Sequence, residues 1–156
     1  MSAAPTRLRA LHAGDASAVA AIAAASFSSP WEAGNFSSVL ESDACLGLGA
    51  FAPDGRLQAY LVALEVSGEI DVVSVATDPS CRRRGLARAL FEAVFLRPAT
   101  ARVVLEVAVD NAMGIALYES LGFIRMGVRR RYYGGVKDAL TMNRNLRVNP
   151  FGDRLA

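Results

Sequence analysis

The chain has 156 residues and a mass of 16.5 kDa, which is the size of one globular domain. Its residues are 53% apolar and 21% charged, which excludes a disordered tail, a collagen-like fibre and a disulfide-rich mini-protein. The net charge of +2 argues against a general nucleic-acid-binding protein. The longest apolar stretch near the N-terminus, residues 16–27, is shorter than the roughly 20 residues of a membrane-spanning helix. We therefore expect a cytoplasmic protein with no membrane partner.

Metal binding and nucleophilic catalysis have few candidate residues. Cys45 and Cys81 stand far apart, and His12 is the only histidine. The sequence therefore offers too few cysteines and histidines for a typical zinc site and few candidates for a Ser-His-Asp triad. We expect two free thiols and no bound metal.

Charge is distributed unevenly along the chain. Residues 10–81 contain one base, Arg56, and nine acids, whereas residues 82–88 contain four arginines. Residues 125–156 contain eight bases and two acids. This pattern predicts an acidic surface from the first half of the chain and an anion-binding surface from the segments that follow.

Hydrophobic periodicity and turn residues predict alternating helices and strands. The predicted strands are residues 7–11, 45–52, 56–66, 70–77, 102–109, 123–130 and 139–146. The predicted helices are residues 15–27, 31–40, 111–121 and a segment that begins within 82–87 and ends before Pro98. This order predicts an α+β fold in which helices flank a mixed, mostly antiparallel sheet. We expect a single domain over residues 1–156, with its core at about 7–147 and a short C-terminal tail at 148–156.

Local signals set several of these boundaries. Asp15 and Asn111 are suited to cap helix N-termini, and Gly122 is suited to end a helix in a left-handed conformation. Residues 53–55, Pro-Asp-Gly, predict the turn of a β-hairpin. The predicted apolar stripe of the first helix consists of Val19, Ile22, Ala23 and Phe27.

The most specific segment is residues 76–90, a strand and a sharp turn followed by Gly85 and Ala87 at the start of a helix. Free backbone N–H groups at a helix N-terminus bind anions, and the four arginines add positive charge. A phosphate-bearing cofactor fits this segment, while an ordinary solvated, arginine-rich helix start is the alternative. A Walker A loop is excluded, because the only lysine is Lys137. Residues 47–52 match G-x-G-x-x-A, but a turn follows where that motif needs a helix, so we interpret these glycines as strand residues.

Residues 82–87 resemble the acetyl-CoA signature Q/R-x-x-G-x-G/A of the GCN5-related N-acetyltransferases, the GNAT family. Residues 105–107 (Leu-Glu-Val), Asn111 and residues 116–123 are similar to the second half of that fold. Their spacing, residues 29–31 and the residues at 131–133, 138–139 and 142 are similar to the RimI-type branch, which acetylates protein N-termini. The resemblance covers about residues 7–147.

The resemblance implies an N-acetyltransferase that uses acetyl-CoA as co-substrate and needs no metal. In the family, the end of the fourth strand pairs with the pantetheine arm, and the start of the next helix binds the pyrophosphate. The cofactor residues that this implies are Val75, Ala76, Thr77, Arg83, Arg84, Gly85, Leu86, Ala87, Arg88 and Asn111. For Asn111, a role as a helix cap alone is the alternative.

Glu106 is the candidate general base. It is the only acid in an apolar strand, a setting that favours a carboxyl group able to take up a proton near neutral pH. Tyr118 lies seven residues beyond Asn111 on the same helix face, and the resemblance implies that it protonates the departing CoA thiolate. A solvated carboxylate and a structural tyrosine are the alternatives. Without an activated serine or cysteine, we expect direct attack in a ternary complex.

The resemblance implies that the acceptor is held by the turn between the first two helices and by the last hairpin. The candidate substrate residues are Pro30, Trp31, Tyr132 and Tyr133, with packing in the core or its rim as the alternative. The RimI-type branch acts on a ribosomal protein with a basic N-terminal tail, which the acid-rich first half of this chain could attract. We expect acetylation of a protein N-terminus, with no stable nucleic-acid partner. The alternatives are an acetyltransferase for lysine or a small amine, and a non-catalytic acyl-CoA sensor.

Overall fold

A computed structural model describes residues 6–133 and 137–146, so the predicted tail at 148–156 lies outside the described residues. The strands are β1 Arg7–Ala10, β2 Cys45–Phe51, β3 Leu57–Val66, β4 Glu69–Thr77, β5 Arg102–Ala108, β6 Ile124–Tyr133 and β7 Lys137–Asn145. The α-helices are α1 Ala16–Ser26, α2 Ala33–Leu40, α3 Leu86–Phe95 and α4 Ala112–Ser120, and short 3-10 turns lie at Ala13–Asp15 and Pro79–Cys81.

The strands form one sheet in the order β1-β2-β3-β4-β5-β7-β6. The pair β4/β5 is parallel, while β1/β2, β2/β3, β5/β7 and β6/β7 are antiparallel. The predicted α+β fold with a mixed, mostly antiparallel sheet is confirmed. No helix in the described ranges is long and apolar enough to cross a membrane.

Contacts divide the chain into two compact units. The first contains the residues up to Glu65 together with Val73–Val94, and the second contains Val66–Val72 together with the residues from Phe95 onward. The extent of the predicted single domain stays a prediction.

The core of the first unit forms around α1, α2 and the strands β2 and β3. Val19, Ile22 and Ala23 are buried as predicted. Phe27 is 43% exposed, contrary to the predicted stripe, because α1 ends at Ser26 and the backbone of Phe27 is extended. Phe36 is fully buried and packs edge-on against the ring of Tyr60, with 5.7 Å between ring centroids.

Two glycines of β2 explain the false nucleotide-binding motif. A Cβ at Gly49 would lie 2.6 Å from Phe51 Cε2 and 2.8 Å from Leu11 Cδ2. A Cβ at Gly47 would lie 2.9 Å from a methyl carbon of Leu40. Close packing against the core therefore requires these glycines, and their interpretation as strand residues is confirmed.

Asp15 performs a different task from the predicted one. It precedes α1, but its side chain does not cap that helix. Its carboxylate instead accepts two hydrogen bonds of 3.0 Å from the Arg9 guanidinium and one of 2.9 Å from the backbone N–H of His12. The hydrogen bonds from Arg9 and then His12, against partial desolvation, lower the pKa of Asp15. This network ties β1 to the segment that leads into α1, and the Arg9 guanidinium also lies 3.7 Å above the ring of Phe51.

The second unit shows the predicted alternation in β5. Val103, Leu105 and Val107 are nearly fully buried, and the residues between them lie on the opposite face. Val109, predicted to extend the strand, lies beyond it and is 45% exposed. The predicted helix signals hold: Asn111 Oδ1 accepts the N–H of Gly114 at 2.9 Å, and Gly122 has a φ of +88°.

Two further boundaries differ from the predictions. The second helix begins at Ala33, because Glu32 occupies the N-cap position and its N–H donates to the Asn35 side chain. In the predicted loop at 132–137, Tyr132, Tyr133 and Lys137 are strand residues, because β6 continues to Tyr133 and pairs there with the first residue of β7, while residues 134–136 lie outside the described residues. The third helix begins at Leu86, within the range predicted for its start, and buries Leu86, Leu90, Phe91 and Val94.

We predict that Asp15→Asn lowers the free energy of unfolding by about 1.5–3 kcal/mol at pH 7, because the charged hydrogen bonds to Arg9 are lost. The pKa of Asp15 is lowered in the folded state, so its stabilisation is present above the unfolded pKa and is lost as the pH falls through the folded value. The difference in unfolding free energy between the wild type and Asp15→Asn, measured by urea unfolding, should be smaller in acid than at pH 7. Asp43→Asn, at an exposed position, is the control. A deficit that stays constant with pH would contradict this account.

Candidate active site

The loop between β4 and α3 in the first unit has an uncommon backbone. After Thr77, the Asp78 carboxylate accepts the backbone N–H and the hydroxyl of Ser80, at 2.9 and 2.7 Å. Arg83 and Gly85 then have φ values of +65° and +74°. A left-handed arginine costs about 1–2 kcal/mol, and such strain is common at functional sites.

This loop presents free backbone donors. In the part of the chain that the structure describes, the N–H groups of residues 83–87 donate no hydrogen bond. Left-handed residues on either side of Arg84, followed by a helix N-terminus, give the geometry of an anion-binding nest. The predicted pyrophosphate site therefore has a fitting set of donors.

The side chains around this nest leave room for a ligand. No heavy atom lies within 4 Å of the position of a Cβ at Gly85, so glycine is needed there for its φ and not for lack of space. Arg83 and Arg84 are exposed. Arg82 instead turns back, with Nε 3.4 Å from the carbonyl of Thr77 and Nη2 3.5 Å from Ser26 Oγ.

The residues predicted to bind the pantetheine arm form the C-terminal end of β4. The register between β4 and β5 covers Glu69–Val72, and Val75, Ala76 and Thr77 follow it. Ala76 is buried, and its two neighbours are half-buried. This strand end leads directly into the loop that carries the nest.

Glu106 lies in the second unit with a donor on each carboxylate oxygen. Arg129 Nη1 is 2.9 Å from Oε1, and Thr141 Oγ1 is 3.0 Å from Oε2. The Glu106 side chain is 18% exposed. Sequence reasoning expected apolar surroundings, but the structure gives this carboxylate polar and charged neighbours, because other strands contribute polar residues to the same face.

Asp71 is a site residue that sequence reasoning missed. It lies opposite Val104 in the parallel pair, and therefore on the face of β5 that carries Glu106. Partial desolvation and then the charges of Glu106 and Glu69 raise the pKa of Asp71, while the Arg129 guanidinium opposes them. The alternation Glu69-Ile70-Asp71-Val72 was the signal that could have revealed it.

Tyr118 and Asn111 both lie in the α4 region. The Tyr118 ring is half-buried and packs edge-on against Phe123, with 5.9 Å between centroids. The Asn111 amide oxygen caps α4, so its role as a helix cap is confirmed, and its contact with the cofactor stays a prediction. Gly114 permits this cap, because a Cβ there would lie 2.7 Å from the Asn111 amide nitrogen.

The predicted acceptor residues are partly described. Pro30 is half-buried, and Trp31 is 42% exposed with its ring centroid 5.4 Å from that of Phe36. The backbones of Tyr132 and Tyr133 belong to β6, and their side chains lie outside the described residues. Their roles stay predictions.

Within residues 6–133 and 137–146, no group of three or more His, Cys, Asp or Glu side chains could hold a metal ion. Cys45 and Cys81 are free thiols.

We predict that Gly85→Ala weakens CoA binding by about fivefold to tenfold, because alanine resists the left-handed φ that orients the nest. Gly55→Ala is a matched control, since Gly55 has a φ of +90° and equally open surroundings in the β2–β3 turn. Both variants should lose similar thermal stability, but only Gly85→Ala should lose affinity in calorimetric titration with CoA. Equal affinities of the two variants would contradict a nest at Gly85.

The chain is similar in sequence and in fold to known acetyltransferases. The model of the acetyltransferase (GNAT) family matches residues 16–123. The [ribosomal protein bS18]-alanine N-acetyltransferase of Salmonella typhimurium is 42% identical over 95 residues, and that of Escherichia coli K12 is 39% identical over 95 residues. Each match covers 57% of this chain and 64% of the relative, which is less than two thirds of its length.

The crystal structure of the ribosomal-protein-S18-alanine N-acetyltransferase from Escherichia coli superposes with a TM-score of 0.83 at 30% sequence identity. The superposition covers 97% of this chain and 96% of that chain. The chain therefore belongs to the GNAT family of acetyltransferases.

Proposed function

We propose that this protein transfers the acetyl group of acetyl-CoA to the N-terminal α-amine of a protein, and that the substrate is a ribosomal protein in the cytoplasm. The observation that carries the proposal is the similarity to the Escherichia coli ribosomal-protein-S18-alanine N-acetyltransferase along 97% of the chain. The backbone nest and the doubly hydrogen-bonded Glu106 carboxylate support it, because they supply an anion site and a proton acceptor.

Acetyl-CoA supplies a thioester whose carbonyl carbon is open to attack by an amine. The N–H groups of residues 83–87 would bind its pyrophosphate, helped by the positive charges of Arg83, Arg84 and Arg88. Val75, Ala76 and Thr77 would hold the pantetheine arm by backbone pairing. A fixed backbone N–H at this strand end would stabilise the developing oxyanion without reorganisation.

Glu106 would accept the proton of the acceptor amine, directly or through one water molecule. A carboxylate has about four lone-pair positions, and two described donors leave capacity for this proton. An α-amine with a pKa near 7.7 is roughly 15% neutral at pH 7, whereas a lysine near 10.4 is about 0.04% neutral. A modest base therefore suffices for an N-terminus.

Tyr118 would complete the proton balance. As the amine nitrogen bonds to the carbonyl carbon, the C–S bond breaks and the sulfur takes a proton from the phenol. The ring contact with Phe123 holds the phenol in a defined orientation. No covalent acyl-enzyme is needed.

The acceptor chain would lie against the aromatic residues Trp31, Tyr132 and Tyr133 and against Pro30. Trp31 is the described member of this group that offers an exposed ring, and Phe36 supports it from the core. An exposed aromatic ring with a buried support can hold a short extended peptide.

CoA release by the purified protein with three acceptors tests the proposed function. The acceptors are an Ala-Arg peptide with a free N-terminus, the same peptide N-blocked with an internal lysine, and spermidine. We expect release with the first alone. Turnover of only the lysine peptide or only spermidine would show that the acceptor is a lysine or a small amine and not an N-terminus. Release with none of the three would contradict the proposal.

We predict that Tyr118→Phe lowers kcat about 100-fold and leaves the Kd for acetyl-CoA within about twofold, because it removes the proton donor to the thiolate. Glu119→Gln, the next residue on α4, is the control and should keep wild-type kcat. Stopped-flow kinetics with the α-amine peptide measures the loss. A Tyr118→Phe variant with full kcat would leave the tyrosine a packing role only.

A further inference from the structure

The Glu106 carboxylate is held from two other strands of its sheet. Arg129 on β6 donates to one oxygen at 2.9 Å, and Thr141 on β7 donates to the other at 3.0 Å. One donor on each oxygen fixes the plane of a carboxylate as well as its position. Free rotation about the Glu side-chain bonds would otherwise spread the carboxylate over several orientations.

The strand register explains how Arg129 reaches Glu106. Thr141 lies directly opposite Glu106 on β7, and Arg129 on β6 lies opposite Ala139, two residues from Thr141. Strand residues two apart share a face, so all four lie on the same side of the sheet. The long arginine side chain spans β7 past the small side chain of Ala139.

A β-bulge decides which side chain of β6 faces Glu106. The register of β6 against β7 shifts between Arg125 and Gly127, so that one extra residue, Met126, is inserted. In a ladder that continued regularly from Arg125, Met126 would pair with Thr141, Val128 would lie opposite Ala139 and Arg129 would lie on the other face. The bulge therefore re-aims Arg129 towards the carboxylate.

Arg129 also balances negative charge on this face of the sheet. Asp71 and Glu69 on β4 lie on the same face as Glu106. Partial desolvation and the negative charges of Glu106 and Glu69 raise the pKa of Asp71. Arg129 is the cation that opposes this repulsion at Asp71 and also binds Glu106. Removing it would leave the like charges of Asp71, Glu69 and Glu106 without this counter-ion.

We propose that Arg129, aimed by the bulge, and Thr141 are positioning residues that hold the Glu106 carboxylate in one orientation for proton transfer. This inference rests on the proposed function, in which Glu106 accepts the amine proton. It adds two residues to the proton-transfer machinery and gives the bulge at Met126 a purpose.

Steady-state kinetics of Arg129→Gln and Arg125→Gln tests the proposal with a matched control. Arg125 lies on the same strand, has the same 59% side-chain exposure and pairs with Glu119 at 3.1 Å. It points to the opposite face, because its partner Met142 alternates with Thr141 along β7. We expect Arg129→Gln to lower kcat about tenfold with KM for both substrates within about twofold, and Arg125→Gln to keep wild-type kcat.

Two further variants separate charge from geometry. Arg129→Lys keeps the charge but loses the planar fork, so it should recover part of the kcat lost in Arg129→Gln. Thr141→Val removes the other hydrogen bond without changing charge, and should lower kcat about threefold to tenfold. In a Glu106→Gln background, Arg129→Gln should add no further loss.

Three kinetic outcomes would overturn the proposal. The first is an equal loss in Arg125→Gln, which would indicate a general effect on β6. The second is a change in the peptide KM alone, which would make Arg129 an acceptor-binding residue. The third is a loss in Arg129→Gln that multiplies with that of Glu106→Gln.

Crystal structures of the wild type and Arg129→Gln test the positioning claim without any turnover, so its failure is distinguishable from failure of the proposed function. We expect one Glu106 conformer in the wild type and several, or a different one, in the variant. The same single conformer in both structures would overturn the claim even if acetylation of the α-amine is observed.

Discussion

The alternation of β5 is the constraint on which the candidate catalytic group depends. Val103, Leu105 and Val107 bury one face, and full burial of each such side chain contributes about 1.5–3 kcal/mol. A slip of one residue would expose these three and bury the Glu106 carboxylate on the apolar side, which costs far more than any hydrogen bond returns. Hydrophobic burial on one face therefore fixes the position of a charge on the other.

Much of this arrangement could be predicted where the signal is local. The alternation of β5, the Asn111 cap, the left-handed Gly122 and the segment at 82–87 depend on residues close together in sequence. The assignment of Asp15 was wrong because a contact with another element competed with the local signal. Asp15 was expected to cap α1, but the Arg9 guanidinium six residues earlier is a stronger partner for its carboxylate.

The neighbours of Glu106 could not be predicted in the same way. Asp71, Arg129 and Thr141 come from three different strands, and their proximity depends on a parallel register and on a bulge that no periodicity reveals. The bulge at Met126 decides whether an arginine or a valine faces the carboxylate. The apolar strand around Glu106 made it the candidate general base but did not indicate how this chain holds its carboxylate.

Each unit, taken by itself, carries a different kind of candidate residue. The first unit offers backbone donors on a strained loop, and the second offers a carboxylate and a phenol on rigid elements. The left-handed φ of Arg83 costs free energy that a relaxed turn would not. Binding an anion through several backbone N–H groups requires such an uncommon backbone, which is a reason for the loop to keep it.

The central claim is that Glu106 takes the proton from the acceptor amine, and the pH dependence of the Glu106→Gln defect tests it most directly. The measurement is kcat/KM of both proteins with an α-amine peptide between about pH 6.5 and pH 9, a range that spans the α-amine pKa of about 7.7–8.0. The account predicts a large deficit at low pH that shrinks as the amine loses its own proton to solvent. A deficit of constant size across this range would contradict it.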